Sequence, residues 1–177
     1  KLIDEKNIII DSKSGTTGAG RNIDASLLFS EIDESIKAYG NGNHRHKPEI
    51  EEKLSENNSK NLSIIFTPHL IPMKRGILST IYVRGNHEQI YEKLSNFYQQ
   101  DSFVQLLSIG EYPSTSQVIG SNNCRIGVNK PHNSQYTVIV SVIDNLIKGA
   151  SGQALQNFNI MLGLKEDLGL AHQAFYP

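Results

Sequence analysis

The positions that carry the pattern are strictly alternating in some stretches and spaced by three or four in others. From Ile77 to Arg84, Ile77, Ser79, Ile81 and Val83 fall on one side and Leu78, Thr80 and Tyr82 on the other, the period of a strand. Tyr136 to Ile143 repeats this with Val138, Val140 and Val142. Asn7 to Ser12, Leu62 to Thr67, Phe103 to Leu107 and Cys124 to Val128 are shorter runs rich in β-branched residues. Helical spacing predicts a helix from Asp24, its cap, to about Lys37, with Ala25, Leu28, Ile32 and Ile36 inward. A second runs from Pro48 to about Glu56, with Ile50 and Leu54 inward, and a polar turn follows at Asn57 to Asn61. A third starts at Asn86, which with Gln89 forms a capping box, and buries Ile90, Leu94, Phe97 and Tyr98. The last runs from Asp144 to Leu162 with Ile147, Ala150, Ala154, Phe158 and Met161 on one stripe. Pro68 and Pro72 keep the connection before Ile77 out of helix. That short connection between two strands excludes a purely parallel sheet, so the expected fold is α+β, a mixed, largely antiparallel open sheet with helices on one face.

At 177 residues the chain suits one domain, 1–177. A formal charge of −1 offers no general attraction to nucleic acid or anionic lipid, and no apolar run approaches the roughly 20 residues that span a bilayer, so neither nucleic acid nor membrane is an expected partner. Cys124 is the single cysteine, which excludes a disulfide framework and fits a cytoplasmic location. It sits in a strand-like run, with no helix N-terminus to lower its pKa, and reads as a small buried side chain. The chain opens on Lys1 and enters a strand within a dozen residues, as if cut from something longer.

Candidate chemistry concentrates in Gly42-Asn43-His44-Arg45-His46-Lys47-Pro48-Glu49-Ile50. Pro48 disfavours helix at Lys47 and suits a first helical turn, so an extended arrival is expected to project His44 and His46 to one side and Arg45 to the other. Two imidazoles on one face form a proton- or anion-handling corner; solvated loop histidines, or a zinc site completed by His69, are the competing readings. Ser14-Gly15-Thr16-Thr17-Gly18-Ala19-Gly20-Arg21 is a loop able to aim N–H groups at phosphate or carboxylate, though it lacks a third glycine for a dinucleotide fingerprint. Gly149 and Gly152 each cost about 1 kcal/mol against alanine inside a helix, which calls for the close approach of a backbone or a flat ligand.

Four stretches taken together carry a resemblance: Lys13 to Arg21, Gly42 to Glu49, Phe66 to Leu78 and Asp144 to Ala154. In order and nearly end to end, they resemble the C-terminal part of the N-acetyl-gamma-glutamyl-phosphate reductases. The resemblance implies the catalytic and dimerisation domain of a semialdehyde-dehydrogenase-type enzyme, without its NADP-binding domain or its nucleophilic cysteine, a role that Cys124 does not inherit. It implies reduction of an acyl phosphate to an aldehyde through a thioester, with NADP as cofactor. His46 is then the base and His44 its neighbour; Ser14, Arg21, Arg45, Arg75, Glu49 and Tyr39 bind substrate; Asn145, Gly149 and Gly152 meet the nicotinamide end. No metal is implied. A homo-oligomer, dimer or tetramer, through the sheet is expected, and the 144–162 helix is expected to pack against the absent domain. A free-standing acidic-metabolite-binding domain is the alternative, followed by a zinc hydrolase centred on His44 and His46.

Overall fold

The computed structural model describes residues 2–21, 24–40, 42–56 and 61–175. Seven strands form one open sheet: β1 (Ile9–Gly15), β2 (Lys37–Ala38), β3 (Ile65–Ile71), β4 (Ile77–Arg84), β5 (Val104–Leu106), β6 (Cys124–Asn129) and β7 (Tyr136–Ile143), in the order β2-β3-β1-β4-β7-β6-β5. β1 with β3 and β5 with β6 are parallel, and the other four neighbouring pairs are antiparallel. The expected mixed, largely antiparallel sheet is therefore the one found. Helix α2 (His46–Ser55) and helix α3 (His87–Tyr98) supply Ile50, Ile90 and Leu94 to a core built on Ile8, Ile10, Ile64, Val83 and Val128. Each such aliphatic side chain contributes about 1.5–3 kcal/mol on burial. Asn86 caps α3 as expected, its Oδ1 accepting from the N–H groups of Glu88 and Gln89.

The opposite face is covered only in part. Segment 107–121 lies over β6 and β7, where Asn129 Nδ2 donates to the Glu111 carbonyl and a Cβ on Gly127 would collide with that same oxygen. Val142 is fully buried there.

Several expectations change. The helix from Asp24 to Lys37 is broken: Asp24 caps a 3₁₀ turn at Ala25–Leu27, Leu28 is extended, and helix α1 covers only Phe29–Ile32. Its apolar residues do not reach the core, and Leu28, Phe29 and Ile36 are exposed. A spacing that suits a helix fixes nothing when no sheet surface lies within reach to bury it. β3 lies three residues later than expected and includes Pro68. A proline is tolerated there because its missing N–H faces away from β1. In α3, Phe97 is exposed. The turn expected at Asn57 to Asn61 lies almost wholly outside the described residues.

The last helix shows the largest correction. It opens with a π-helical turn at Ile147–Ser151, and α4 is Gly152–Met161. Ala150, Ala154, Phe158 and Met161 share one face, which is exposed, and Gly152, Gln156 and Asn159 are buried. Wide turns of i→i+5 bonding, such as Ser151 N–H to the Leu146 carbonyl, absorb an extra residue and shift the phase of everything after them. What α4 buries instead is hydrogen bonding. Gln156 Oε1 accepts from Asn122 Nδ2 and Lys148 Nζ, and Asn159 Nδ2 donates to the carbonyls of Glu166 and Leu168.

Candidate functional site

The histidine corner forms, by a different backbone route from the expected one. Arg45 is already helical (φ −54°, ψ −30°), and α2 starts at His46, two residues before Pro48. The turn, not an alternating strand, puts the two rings together, with centroids 5.0 Å apart at 74°. His44 also packs edge-on against Tyr39 and Phe66, each at 5.4 Å. Its Nδ1 accepts the His46 main-chain N–H at 3.2 Å, so the ring caps α2 and its proton belongs on Nε2. Partial burial, and then the charges of His46 and Arg45, hold the His44 imidazole below its ordinary range. At neutral pH His44 is a neutral ring with its proton on Nε2, and the exposed His46 ring stands beside it.

Around the corner, Arg45, Glu49 and Tyr39 are exposed. Tyr39 gives its N–H to the Pro68 carbonyl, and burial raises its phenol above the ordinary value. Glu49 makes no hydrogen bond to either imidazole among the described residues. Lys47 lies 3.7 Å from Glu51 Oε1 and lines the same hollow as Tyr39 and Phe66; in the sequence alone it stands out only as the residue before a proline.

The glycine loop stands elsewhere on the same sheet face. Ser14 is paired with Leu70, four residues along from the Ile10–Phe66 pair that carries His44, so about 13 Å separates the two levels. No hydrogen bond joins them among the described residues. Gly15 is forced by space, since a Cβ would meet the Met73 carbonyl at 2.8 Å. Arg21 is exposed and makes no hydrogen bond or ion pair among the described residues.

Beside that loop is a polar latch that sequence reasoning missed in its main part. Asp144 is fully buried and accepts from the Arg75 guanidinium (2.7–3.2 Å), the Gly120 N–H (2.7 Å) and the N–H groups of Leu146 and Ile147. Burial alone would raise its pKa; the Gly120 N–H, Arg75 and the two further N–H groups outweigh it, and the net shift is downward. Arg75 is thus tied to Asp144 by Nε and Nη2. Asn145, the next residue, is 5 % exposed, accepts the Gly76 N–H at 2.8 Å and donates to Thr17 Oγ1 at 2.8 Å. It links three segments distant in sequence. A Cβ added at Gly152 would collide with Asn122 Oδ1, whereas Gly149 is exposed and an added Cβ there meets nothing nearer than 3.5 Å. The close approach that Gly152 serves is internal. The one sequence signal for Asp144 is its place directly after the clearest strand.

His69 projects from the face of β3 opposite Phe66, beside Asp11 at 3.4 Å, and so cannot join His44 and His46. Among the described residues no three His, Cys, Asp or Glu side chains gather to hold a metal ion, and no helix is long and apolar enough to cross a membrane. Cys124 is half-buried, its Sγ 3.4 Å from Ser141 Oγ, and burial raises its thiol pKa.

Comparison with known proteins bears on the family and the fold. Residues 1–145 match the family model described as semialdehyde dehydrogenase, dimerisation domain. Proteins named N-acetyl-gamma-glutamyl-phosphate reductase from Staphylococcus saprophyticus and Staphylococcus aureus are 47% and 48% identical over 99% and 100% of this chain, which covers 52% and 53% of theirs. The chain thus spans about half the length of the curated relatives it matches. Among solved structures, aspartate semialdehyde dehydrogenase II of Vibrio cholerae has a TM-score of 0.68 at 14% identity over 91% of this chain and 56% of its own. A probable aspartate-semialdehyde dehydrogenase of Pseudomonas aeruginosa has a TM-score of 0.69 at 13% identity, covering 90% of this chain and 56% of its own; both likenesses bear on the fold. From its sheet order to its matched residues, this chain belongs to the semialdehyde dehydrogenase dimerisation-domain family.

Proposed function

We propose that this chain is the substrate-binding and subunit-contact half of a cytoplasmic reductase that converts N-acetyl-gamma-glutamyl phosphate to the corresponding semialdehyde and phosphate, in arginine biosynthesis. The observation that carries the reading is the pair of imidazoles at the head of α2, with ring centroids 5.0 Å apart, one accepting the His46 N–H at Nδ1 and the other exposed beside it. In this reading a cysteine outside the chain attacks the acyl carbon and expels phosphate, and the resulting thioester is reduced to the aldehyde. His46 takes the thiol proton and later returns it, and His44 donates to the acyl oxygen. The Ser14–Gly20 loop takes no part in this reading: the N–H groups of Gly15, Thr16, Thr17 and Gly20 are donated to main-chain carbonyls and the loop stands about 13 Å from the imidazoles.

NADPH supplies the hydride when bound. The fit of this chain's residues to it is uneven. Gly149 offers an exposed turn against which a flat ring can lie, Asn145 reaches a ligand only by releasing Thr17, and Gly152 is filled by Asn122. The chain therefore acts as one domain, and the cofactor is held mainly by a domain outside it. The exposed apolar residues Phe158, Ile160 and Met161 support packing of the 144–162 segment on that domain. The half-covered sheet face over β1 and β3, where Ile65 is 61% exposed, supports homo-oligomer contact through the sheet.

In the full-length enzyme, His46→Asn lowers the rate of the chemical step by roughly 10²–10⁴-fold with cofactor affinity unchanged. Stopped-flow reduction and cofactor titration measure the two separately, and an equal loss in both overturns the assignment. The chain alone shows no turnover; measurable acyl-phosphate reduction by it alone would refute the divided site.

A further inference from the structure

Helix α2 carries the histidine corner at its head, yet none of its ten residues is fully buried, and Leu54, expected inward, is 39% exposed. Its contribution to the core is the partly buried Ile50. A helix this short is marginal without tertiary support, so whatever seats it decides where the rings lie. The seat is polar. Lys47, Glu51 and Ser55 are spaced by four and fall on one side of the helix. Glu51 Oε1 accepts the Ile64 N–H at 2.9 Å and the Ser63 hydroxyl at 3.2 Å. One turn on, Ser55 Oγ accepts the Leu62 N–H at 2.8 Å while its own proton goes to the Glu51 carbonyl at 2.6 Å, which fixes the hydroxyl as an acceptor. Two side chains a helical turn apart thus take two alternate main-chain N–H groups in the stretch leading into β3. Ile64 is buried, so its N–H has to find an acceptor. That N–H, with help from Lys47 and Ser63 and against a smaller desolvation, holds the Glu51 carboxyl below its ordinary range. Two residues past Ile64 is Phe66, whose ring meets His44 edge-on at 5.4 Å, and His44 Nδ1 takes the His46 N–H. The ties at 62 and 64 and the ring contact at 66 belong to one seam between α2 and β3.

We propose that Glu51 and Ser55 are positioning residues for the reaction: by taking the Ile64 and Leu62 N–H groups they fix where α2 lies along the entry to β3, and so hold the His44 and His46 rings in place beside Phe66. The proposal rests on the functional reading above, in which His46 moves the thiol proton. Sliding a helix by one residue carries its head about 1.5 Å along its axis, and about 1 Å of misplacement is enough to slow a geometry-dependent step about 10²-fold. Both residues act through the rings and not on the substrate.

Kinetics and histidine NMR of the full-length enzyme test this. Glu51→Ala should slow the chemical step, followed by stopped flow, by about tenfold or more while the KM for the acyl phosphate changes less than about threefold, and Ser55→Ala should give a smaller loss of the same kind. Glu51→Gln keeps an oxygen for the Ile64 N–H and should restore the rate to within about threefold of the parent. Because the effect passes through the rings, Glu51→Ala should add less than about threefold to the loss already caused by His46→Asn. In enzyme labelled at histidine, the His44 ring resonances should move in Glu51→Ala and return in Glu51→Gln. Losses that multiply in the double variant, a Gln variant as slow as the Ala variant, or His44 resonances that stay in place each overturn the positioning role. If Glu51→Ala does not fold, Ser55→Ala takes the double-variant and resonance measurements in its place. A His46→Asn enzyme that keeps the parental rate overturns the functional reading instead, and the ring resonances then still decide whether Glu51 seats α2.

Discussion

The latch at Asp144 and the corner at His44 lie at two ends of the same sheet and are built on opposite plans. In the latch every polar atom of a fully buried carboxylate is matched, by a guanidinium and three N–H groups, and Asn145 is occupied at both ends. In the corner the rings are exposed or half-buried, and the two imidazoles share one hydrogen bond, from the His46 main chain to His44 Nδ1. The contrast teaches that residues drawn from equally polar motifs divide by burial. Where water is excluded, polar groups are consumed by one another and hold the scaffold; where it is admitted, they remain available.

Substitutions that move a group from one plan to the other test this division. The largest effect is expected at Asp144→Asn, which leaves the Arg75 charge facing a neutral amide and should cost about 3–5 kcal/mol in urea unfolding. The same substitution should flatten the acid limb of stability. The carboxyl pKa is lower in the folded state, so its contribution is present above the ordinary carboxylate range and is lost as pH falls through the folded value. A stability loss below about 1 kcal/mol would mean the latch is not what holds the loops together. Next comes Gly152→Ala, where the added methyl meets Asn122 Oδ1 and the Ile147 carbonyl and should cost about 1–3 kcal/mol. Gly149→Ala meets only ordinary contacts and should lie within about 0.5 kcal/mol of the parent, so equal effects at the two glycines would contradict the internal role of Gly152.

The corner is expected to matter far less to stability than the latch. His44→Ala removes a helix cap and ring contacts at a half-exposed site and should cost about 1 kcal/mol, well below Asp144→Asn in the same assay. Its imidazole, followed by NMR, should titrate below the ordinary value near 6.5. Because the folded form favours the neutral ring, the contribution of this group to stability declines as pH falls below the unfolded value, the reverse of what a histidine paired with a carboxylate would show.

What the sequence disclosed follows the same division. The strands were legible because alternation is local: Tyr136 to Ile143 was placed to the residue. The proximity of His44 and His46 was legible from their spacing, although the turn that achieves it was not, since Lys47 lies inside α2 against the bias that Pro48 imposes on the residue before it. On the last helix the stripe of Ala150, Ala154, Phe158 and Met161 was legible and forms one exposed face, whereas the π turn at 147–151 was not, because periodicity presumes an uninterrupted 3.6-residue helix. Asp144 escaped notice because its partners, Arg75 and Gly120, are 69 and 24 residues away, and only the folded chain brings them within reach.

Pro68 has a consequence for how this protein behaves in a crowded solution. An outer strand with a continuous row of amide donors can recruit a like strand from another molecule and begin a fibrillar stack. On β3 the outward donor at position 68 is absent by covalent structure, its carbonyl is already taken, and the donor at Ile64 is sequestered by a glutamate. With these two donors unavailable, no continuous row of outward donors runs from Ile64 to Pro68, and the edge is a poor template for a foreign strand.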